Sequence, residues 1–455
     1  MSTNLAIAEL TPPPRGGGVR EVAVLASPVL VQMFSETLMQ VASSAMVGQL
    51  GPSQLGAVGL GGIWIWTLIC PFVGAATGVA VFVSRAHGAG DPRSCGPWVW
   101  QALAVLVPVA VVWTFAVAAF FPTLLAWVDP SPELRHRSLE YVAGRLPGLP
   151  AVAAGAAVTT FFRGLGNTRI PMLATITTVL VQGVLAYALI FGHLGLPATG
   201  VWGAGIAFTI AEYVYAAILF GFLFARDTRA RFATALSRPD PSQIVRFLRT
   251  SAPIGGQWLL DMLSFALFSS VVARMGDAEM AASQAMIQLL SLSFMQAVAI
   301  SVSAGTLVGR YLGAGDAGAA MRSYASAMKL AMVLAAAVAA LFLGVPELLM
   351  RLFSDDAEVL ALSRPLLRLG AFFQLVDAIG IVAGGSLRGG GDTRWPFLVH
   401  ATLAWAARLP FVWMFAIWLE GGVFGAWLGE LGYITLLGLA FVLRFRGGRW
   451  QTMRP

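Results

Sequence analysis

Residues 84–91 read S-R-A-H-G-A-G-D, and residues 309–316 read G-R-Y-L-G-A-G-D. Residues 163–171 read R-G-L-G-N-T-R-I-P, and residues 388–396 read R-G-G-G-D-T-R-W-P. Both pairs are 225 residues apart, Arg85 from Arg310 and Arg163 from Arg388, and the same shift sets Pro28 on Pro253, Gln32 on Gln257 and Glu36 on Asp261. One shift across three separated blocks marks an internal duplication. The glycines suit tight turns with positive φ. In the second pair of blocks Asn167 or Thr168, and Asp392 or Thr393, can cap the helix that follows. Pro171 and Pro396 then fall in its first turn, where a missing N–H costs nothing. No G-K-[ST] follows the glycine-rich turns, so they are not phosphate cradles. The arginines of these blocks are expected at a membrane interface, as anchors to lipid phosphates.

The 455 residues are 58% hydrophobic and only 11% charged. A soluble chain carries about a quarter charged residues. Apolar stretches of roughly 20 residues, the length that crosses about 30 Å of hydrocarbon, recur along the whole sequence. The sequence predicts twelve membrane spans, near 22–47, 54–83, 98–126, 139–162, 170–192, 199–225, 246–273, 279–308, 323–346, 359–387, 395–418 and 422–445. The domain reading is a tail at 1–21, a first lobe at 22–225, a connecting loop at 226–249, a second lobe at 250–445 and a tail at 446–455. The expected fold is therefore an all-α membrane protein with two pseudo-symmetric six-helix lobes. Six spans per repeat is an even number, so both halves cross the bilayer in the same direction.

Arginine supplies nearly all of the +7 formal charge. The 226–249 loop and the C-terminal tail (Arg444, Arg446, Arg449, Arg454) share one face with Arg85, Arg93, Arg163, Arg169, Arg310, Arg322, Arg388 and Arg394. The opposite loops hold fewer arginines, with acids at Asp129, Asp277, Asp355 and Asp356. The arginine-rich face is expected to be cytoplasmic, with both termini inside. The charge is read as topology bias, not nucleic-acid binding. The N-terminal tail lacks the pattern of a cleaved signal peptide. Cys70 lies in an apolar run and Cys95 in a polar loop, and neither suggests a disulfide or a zinc site.

Five acids fall inside apolar spans: Glu36, Glu212, Asp261, Asp377 and Glu430. A charge at a helix centre costs about 2.5–3.5 kcal/mol on insertion scales, so such groups face a cavity or a partner and often bind an ion. Carboxyls taken out of water favour their neutral form and can exchange protons; a pair with neighbouring hydroxyls and amides can hold sodium instead. Asp261 and Asp377 sit at similar depths in spans 7 and 10 and are expected to project into one cavity. They are the candidate coupling-cation site, sodium or proton, with Glu36 a third candidate. Gln284 and Gln288, four apart on span 8, and Gln257 are supporting polar groups. Gln32, Trp258, Phe265 and Phe373 are candidates to line a substrate cavity. Arg408 is an embedded base without an assigned partner, and Glu212 and Glu430 have no assigned role. The histidines (His87, His136, His193, His400) read as scattered over loops and span ends, which argues against a membrane-embedded enzyme.

The run P-V-L-V-Q-M-F-S-E-T-L-M (28–39), then M-V-G-Q-L-G (46–51), the G-A-G-D turns and F-Q-L-V-D-A-I-G-I-V-A-G-G-S-L-R-G-G-G-D-T-R-W-P (373–396) resemble the multidrug and toxic compound extrusion family, in its NorM-like bacterial branch. The resemblance covers nearly the whole chain. It implies a V-shaped twelve-helix fold and export of cationic or amphiphilic compounds in exchange for sodium or protons, by a monomer in the bacterial inner membrane with no further cofactor. It also implies coupling-ion roles for Asp261 and Asp377. Where many members carry aspartate in span 1, this chain has Ser43, and Gln182 and Ala186 occupy the polar positions of span 5; Ser43 and Gln182 are supporting polar candidates on that ground. Lipid-linked saccharide flipping is the alternative reading, and it favours a basic cavity over an acidic one.

Overall fold

The computed structural model describes residues 16–128, 131–351 and 357–453. Asp129, Asp355, Asp356, Arg454 and the tail at 1–15 lie outside the described residues. Among the described residues all regular structure is helical.

The helices are α1 (Val19–Gly48), α2 (Pro52–Ala76), α3 (Gly78–Gly88), α4 (Cys95–Val128), α5 (Pro132–Arg145), α6 (Leu149–Gly164), α7 (Arg169–Phe191), α8 (Gly200–Leu223) and the short α9 (Arg226–Phe232). They continue as α10 (Pro241–Ala273), α11 (Asp277–Gly313), α12 (Ala317–Gly344), α13 (Pro346–Arg351), α14 (Ala357–Gly389), α15 (Arg394–Leu403), α16 (Leu409–Trp413) and α17 (Gly422–Arg446). Eleven helical stretches of the described residues are long and apolar enough to cross a bilayer. The remaining crossing, expected at 139–162, is made by α5 and α6 through a 3-10 turn at Leu146–Gly148. Pro147 and Pro150 lack the N–H groups a continuous helix needs there, and α5 is polar, so no single apolar helix forms. Large apolar side chains such as Phe115 (72% exposed) and Trp127 (89%) stand outward along and at the end of α4, as a lipid-facing surface requires.

The chain packs as two compact units. Of the described residues, the first holds 31–87 and 91–255, and the second holds 16–30, 88–90 and 256–453. The packing seam thus falls inside α10, where the sequence reading places it at 226–249. That stretch is also less of a loop than expected. It carries α9, and α10 starts at Pro241, five residues before the expected span. Asp240 explains the early start: its carboxylate accepts hydrogen bonds from the Ser242 amide and hydroxyl, each at 2.9 Å, and Pro241 takes the first helical position. Those bonds hold the Asp240 carboxyl below the usual carboxylate range. Cys95 also departs from expectation. It opens α4 and is fully buried, not in a polar loop, while Cys70 is buried in α2.

The duplication is visible in the backbone. Gly51 and Gly276, Gly90 and Gly315, and Gly166 and Gly391 all take positive φ at the shift of 225. Asp91 accepts from the Ser94 amide and Asp316 from the Ala319 amide, so both G-A-G-D turns end in the same helix cap. The caps expected at 167–168 and 392–393 are only partly seen. Asn167 accepts from the Ile170 amide at 3.4 Å, but Thr168 and Thr393 make no side-chain cap, and Asp392 instead takes Arg444 at 2.8 Å.

Close helix crossings hold each unit. A Cβ at Gly164 would meet Ala80 and Val83 at 3.0 Å, and one at Gly389 would collide with the Gly305 backbone; residues 164 and 389, like 80 and 305, are repeat partners. One turn away the Thr160 hydroxyl donates to the Ala76 carbonyl at 2.8 Å. In the second unit Ser301, the partner of Ala76, donates to Ile381 at 2.8 Å, while Gly385, the partner of Thr160, makes room for it. Small residues at crossings let backbones approach, and hydroxyls bond across them, which is how helices associate without a hydrophobic drive.

Candidate functional site

In the second unit, Gln257, Asp261, Ser264 and Phe265 lie on one face of α10 by their spacing of three and four residues. α14 supplies Phe373 and Asp377, α15 supplies His400, and α17 supplies Glu430 and Tyr433. Arg408 comes from a π turn at Ala404–Arg408, just before α16. A regular helix would leave a residue eight positions on roughly 80° away from the face of His400. The wider π turn takes up that difference, as π-bulges at functional positions do, and Pro410 favours it by removing a backbone donor.

These side chains form one connected polar cluster. Arg408 donates from Nε to Glu430 at 2.7 Å and from Nη2 to the other Glu430 oxygen at 2.5 Å. Its Nη1 donates to the Ser264 hydroxyl at 2.9 Å and lies 3.5 Å from an Asp261 oxygen. His400 Nε2 is 3.4 Å from that same oxygen. The Gln257 amide lies 3.4 Å from His400 Nδ1, and the Tyr433 hydroxyl 3.3 Å from Nε2. With Gln257 donating, the ring proton sits on Nε2, facing Asp261. The guanidinium packs over Tyr433 and Phe265, at 5.1 and 5.5 Å from the ring centres.

Burial separates two roles. Arg408 and Glu430 are 2% and 3% exposed, a sealed pair, whereas the Asp261 side chain keeps 43% of its surface open. Asp377 is half-buried and close enough to interact electrostatically with Asp261, Glu430 and Arg408. Three carboxyl groups face one guanidinium, so with all three ionised and His400 neutral two negative charges would be uncompensated.

Asp261 and Asp377 lie within electrostatic reach of each other, Arg408 has its partner in Glu430, and Gln257 and Phe265 sit beside His400 and Arg408. Phe373 packs edge-on to Trp427 at 5.5 Å. Trp258 is half-buried on α10, and Gln284 and Gln288 are exposed on α11; none of these three is a hydrogen-bonding member of the cluster. The reading of His400 needs correction. It lies within a membrane helix, 6% exposed, against Asp261. Its signal was available: the repeat shift sets it on Thr175.

The first unit holds a second polar cluster, on α1, α6, α7 and α8. Gln32 donates to Glu36 at 3.0 Å and accepts from Arg163 Nη2 at 2.8 Å. The Gln32 amide also reaches the Tyr215 hydroxyl at 3.3 Å, which bonds Thr159 at 2.6 Å. Glu36 lies near Thr175, whose buried hydroxyl makes no hydrogen bond, and within electrostatic reach of Arg163. Arg163 therefore faces this cluster, not lipid phosphate as expected, and Gln32 is 5% exposed within it rather than open to a cavity. Glu212 interacts with Arg145 and Glu36. Ser43 and Gln182 are buried, at 2% and 6% exposure. An apolar groove of about 900 Å³ in this unit, lined by Trp100, Leu103, Pro108, Ala154, Phe220 and Arg238 among others, includes none of the cluster residues.

The MatE family model matches the chain twice, over residues 28–188 and again over 253–414, once per repeat. The chain belongs to the MatE family, the multidrug and toxic compound extrusion transporters. It is 27% identical over 432 residues to the probable multidrug resistance protein NorM of Thermotoga maritima, covering 95% of this chain and 93% of that one. It is 30% identical over 443 residues to the multidrug resistance protein PmpM of Pseudomonas aeruginosa, covering 95% and 91%. Among solved structures, an outward-facing MATE family transporter of the MOP superfamily superposes with a TM-score of 0.88 at 20% identity, covering 96% of this chain and 98% of that chain. A MATE crystal structure in the straight conformation gives 0.87 at 19% identity, with the same coverage. Both likenesses establish the twelve-helix transporter fold. The chain is a multi-pass membrane transporter.

Proposed function

We propose that this transporter is an antiporter that exports cationic or amphiphilic small organic compounds in exchange for sodium or protons, by alternating access, as a monomer in a bacterial inner membrane with both termini in the cytoplasm. The observation that carries the reading is the excess of carboxyl groups over guanidinium in the second-unit cluster, with one of those groups open. Glu430 is neutralised in place by Arg408, which leaves Asp261, open on one side, and Asp377 beside it as the groups a travelling cation would satisfy. His400, through Gln257 and Tyr433, orients the Asp261 carboxylate. One charge crossing 100 mV supplies about 2.3 kcal/mol, and the ion need only bind the two access states unequally to drive the exchange. An acidic cluster favours cationic cargo over the anionic headgroups of a lipid-linked saccharide. The multidrug resistance names of NorM and PmpM support the substrate class.

The test is dye efflux from proteoliposomes under an imposed sodium or pH gradient. Asp261→Asn and Asp377→Asn should each lower coupled efflux by about tenfold or more without changing the amount of folded protein. Full coupled efflux in both variants would overturn the reading.

A further inference from the structure

The two polar clusters occupy the same three repeat positions. Gln32 and Gln257, Glu36 and Asp261, and Thr175 and His400 are partners at the shift of 225. In each unit the glutamine and the residue on the span-5 or span-11 helix lie by the acid: Gln32 donates to Glu36, with Thr175 close by but not hydrogen-bonded to it, and His400, itself held by Gln257, reaches Asp261. One framework has been used twice, but the positive charge enters differently. In the second unit Arg408 comes from the π turn and is taken up by Glu430. At the repeat partners of those two positions the first unit has glycines, Gly183 and Gly205. There the guanidinium comes instead from Arg163, which donates to Gln32 Oε1, while the Gln32 amide donates to Glu36. A guanidinium at one end of the amide and a carboxylate at the other polarise it in the same sense, so Gln32 relays the positive charge onto Glu36. Glu212, the other embedded acid of this unit, has Arg145 as its cationic neighbour. The first unit thus sets two guanidinium groups against its two embedded acids, whereas the second sets three acids against Arg408, with Arg388, the repeat partner of Arg163, half-buried on α14 but outside the cluster.

We infer that the first-unit cluster is a copy of the coupling site kept permanently occupied by Arg163, a resident cation in place of a travelling one. The transporter thus loads its coupling ion in the second unit alone. This rests on the coupling role proposed above for Asp261 and Asp377.

The test replaces the resident cation with a free one. Arg163→Ala strips Glu36 of its counter-charge and should lower dye efflux by about tenfold. Millimolar guanidinium chloride should restore it several-fold, whereas equal sodium or potassium chloride should not. The E36Q/R163A double variant should transport several-fold better than R163A and should gain nothing from guanidinium. The same titration, followed by thermal unfolding in detergent, gives a readout independent of transport. Guanidinium should raise the midpoint of R163A selectively, and not that of E36Q/R163A or the wild type. If R163A gains neither efflux nor thermal stability from guanidinium, or if the double variant is as inactive as R163A, the inference is overturned. Failure of the parent reading looks different: Asp261→Asn and Asp377→Asn would then retain coupled efflux whatever the first unit does.

Discussion

At the scale of single residues, the second-unit cluster divides into groups that hold and groups that exchange. Arg408 and Glu430 are both sealed, and a buried pair broken on one side leaves a bare charge at a cost of about 3–5 kcal/mol. Arg408→Met should therefore lower the thermal unfolding midpoint markedly, and the R408M/E430L double variant should recover most of that loss, measured side by side in detergent. An additive double variant would mean that the pair does not act as a unit. His400 makes a separate prediction. His400→Gln keeps a polar group near Asp261 but cannot carry a charge, so it should change the gradient dependence of efflux more than the amount of folded protein; unchanged dependence would remove His400 from the coupling group. The sequence showed which carboxylates were out of place in oil, because that follows from composition alone. It did not show that Arg408 belongs to Glu430, twenty-two residues on, because only the π turn swings the guanidinium into line. A nearly regular spacing carried no warning of that turn beyond Pro410.

At the scale of helices, the crossings between α3 and α6 and between α11 and α14 depend on residues too small to keep the backbones apart. A side chain at Gly389 would run into the backbone of Gly305, and buried close packing leaves no room to relax. Gly389→Val should reduce the yield of folded protein from membranes by several-fold. Gly344→Val, at the end of α12 where nothing lies within 4 Å of the added carbon, should be tolerated; equal yields from both would refute the packing argument. The helices themselves were largely legible, since apolar runs of membrane length admit little else. The exceptions have physical causes. Paired prolines broke the fourth crossing into α5 and α6, and the Asp240-Pro241 cap started α10 early. Both signals stood in the sequence but were outweighed by hydropathy.

At the scale of the whole molecule, the repeat was the most informative feature, because one register aligned the glycine turns and the Gln-acid positions of both halves, while the cap expected at 167–168 formed in the first half and the one at 392–393 gave way to the Asp392–Arg444 pair. Both native cysteines are fully buried, so the wild-type protein should react with a membrane-impermeant maleimide only after unfolding. A cysteine introduced at Ser237, in the stretch between α9 and α10, should label from the cytoplasmic face alone; labelling from the other side would invert the proposed orientation. The crossing hydroxyls carry a consequence for how such a chain could have evolved. Thr160 leans one way across its seam and Ser301 the opposite way across the matching one. A graft of the Ser301 helix into the earlier half would set its hydroxyl against that of Thr160, and a graft of the Ala76 helix into the later half would set alanine against Gly385 and leave a gap. Each half has drifted as a matched set, so viable recombinants should exchange complete six-helix blocks and should fail when single helices are traded.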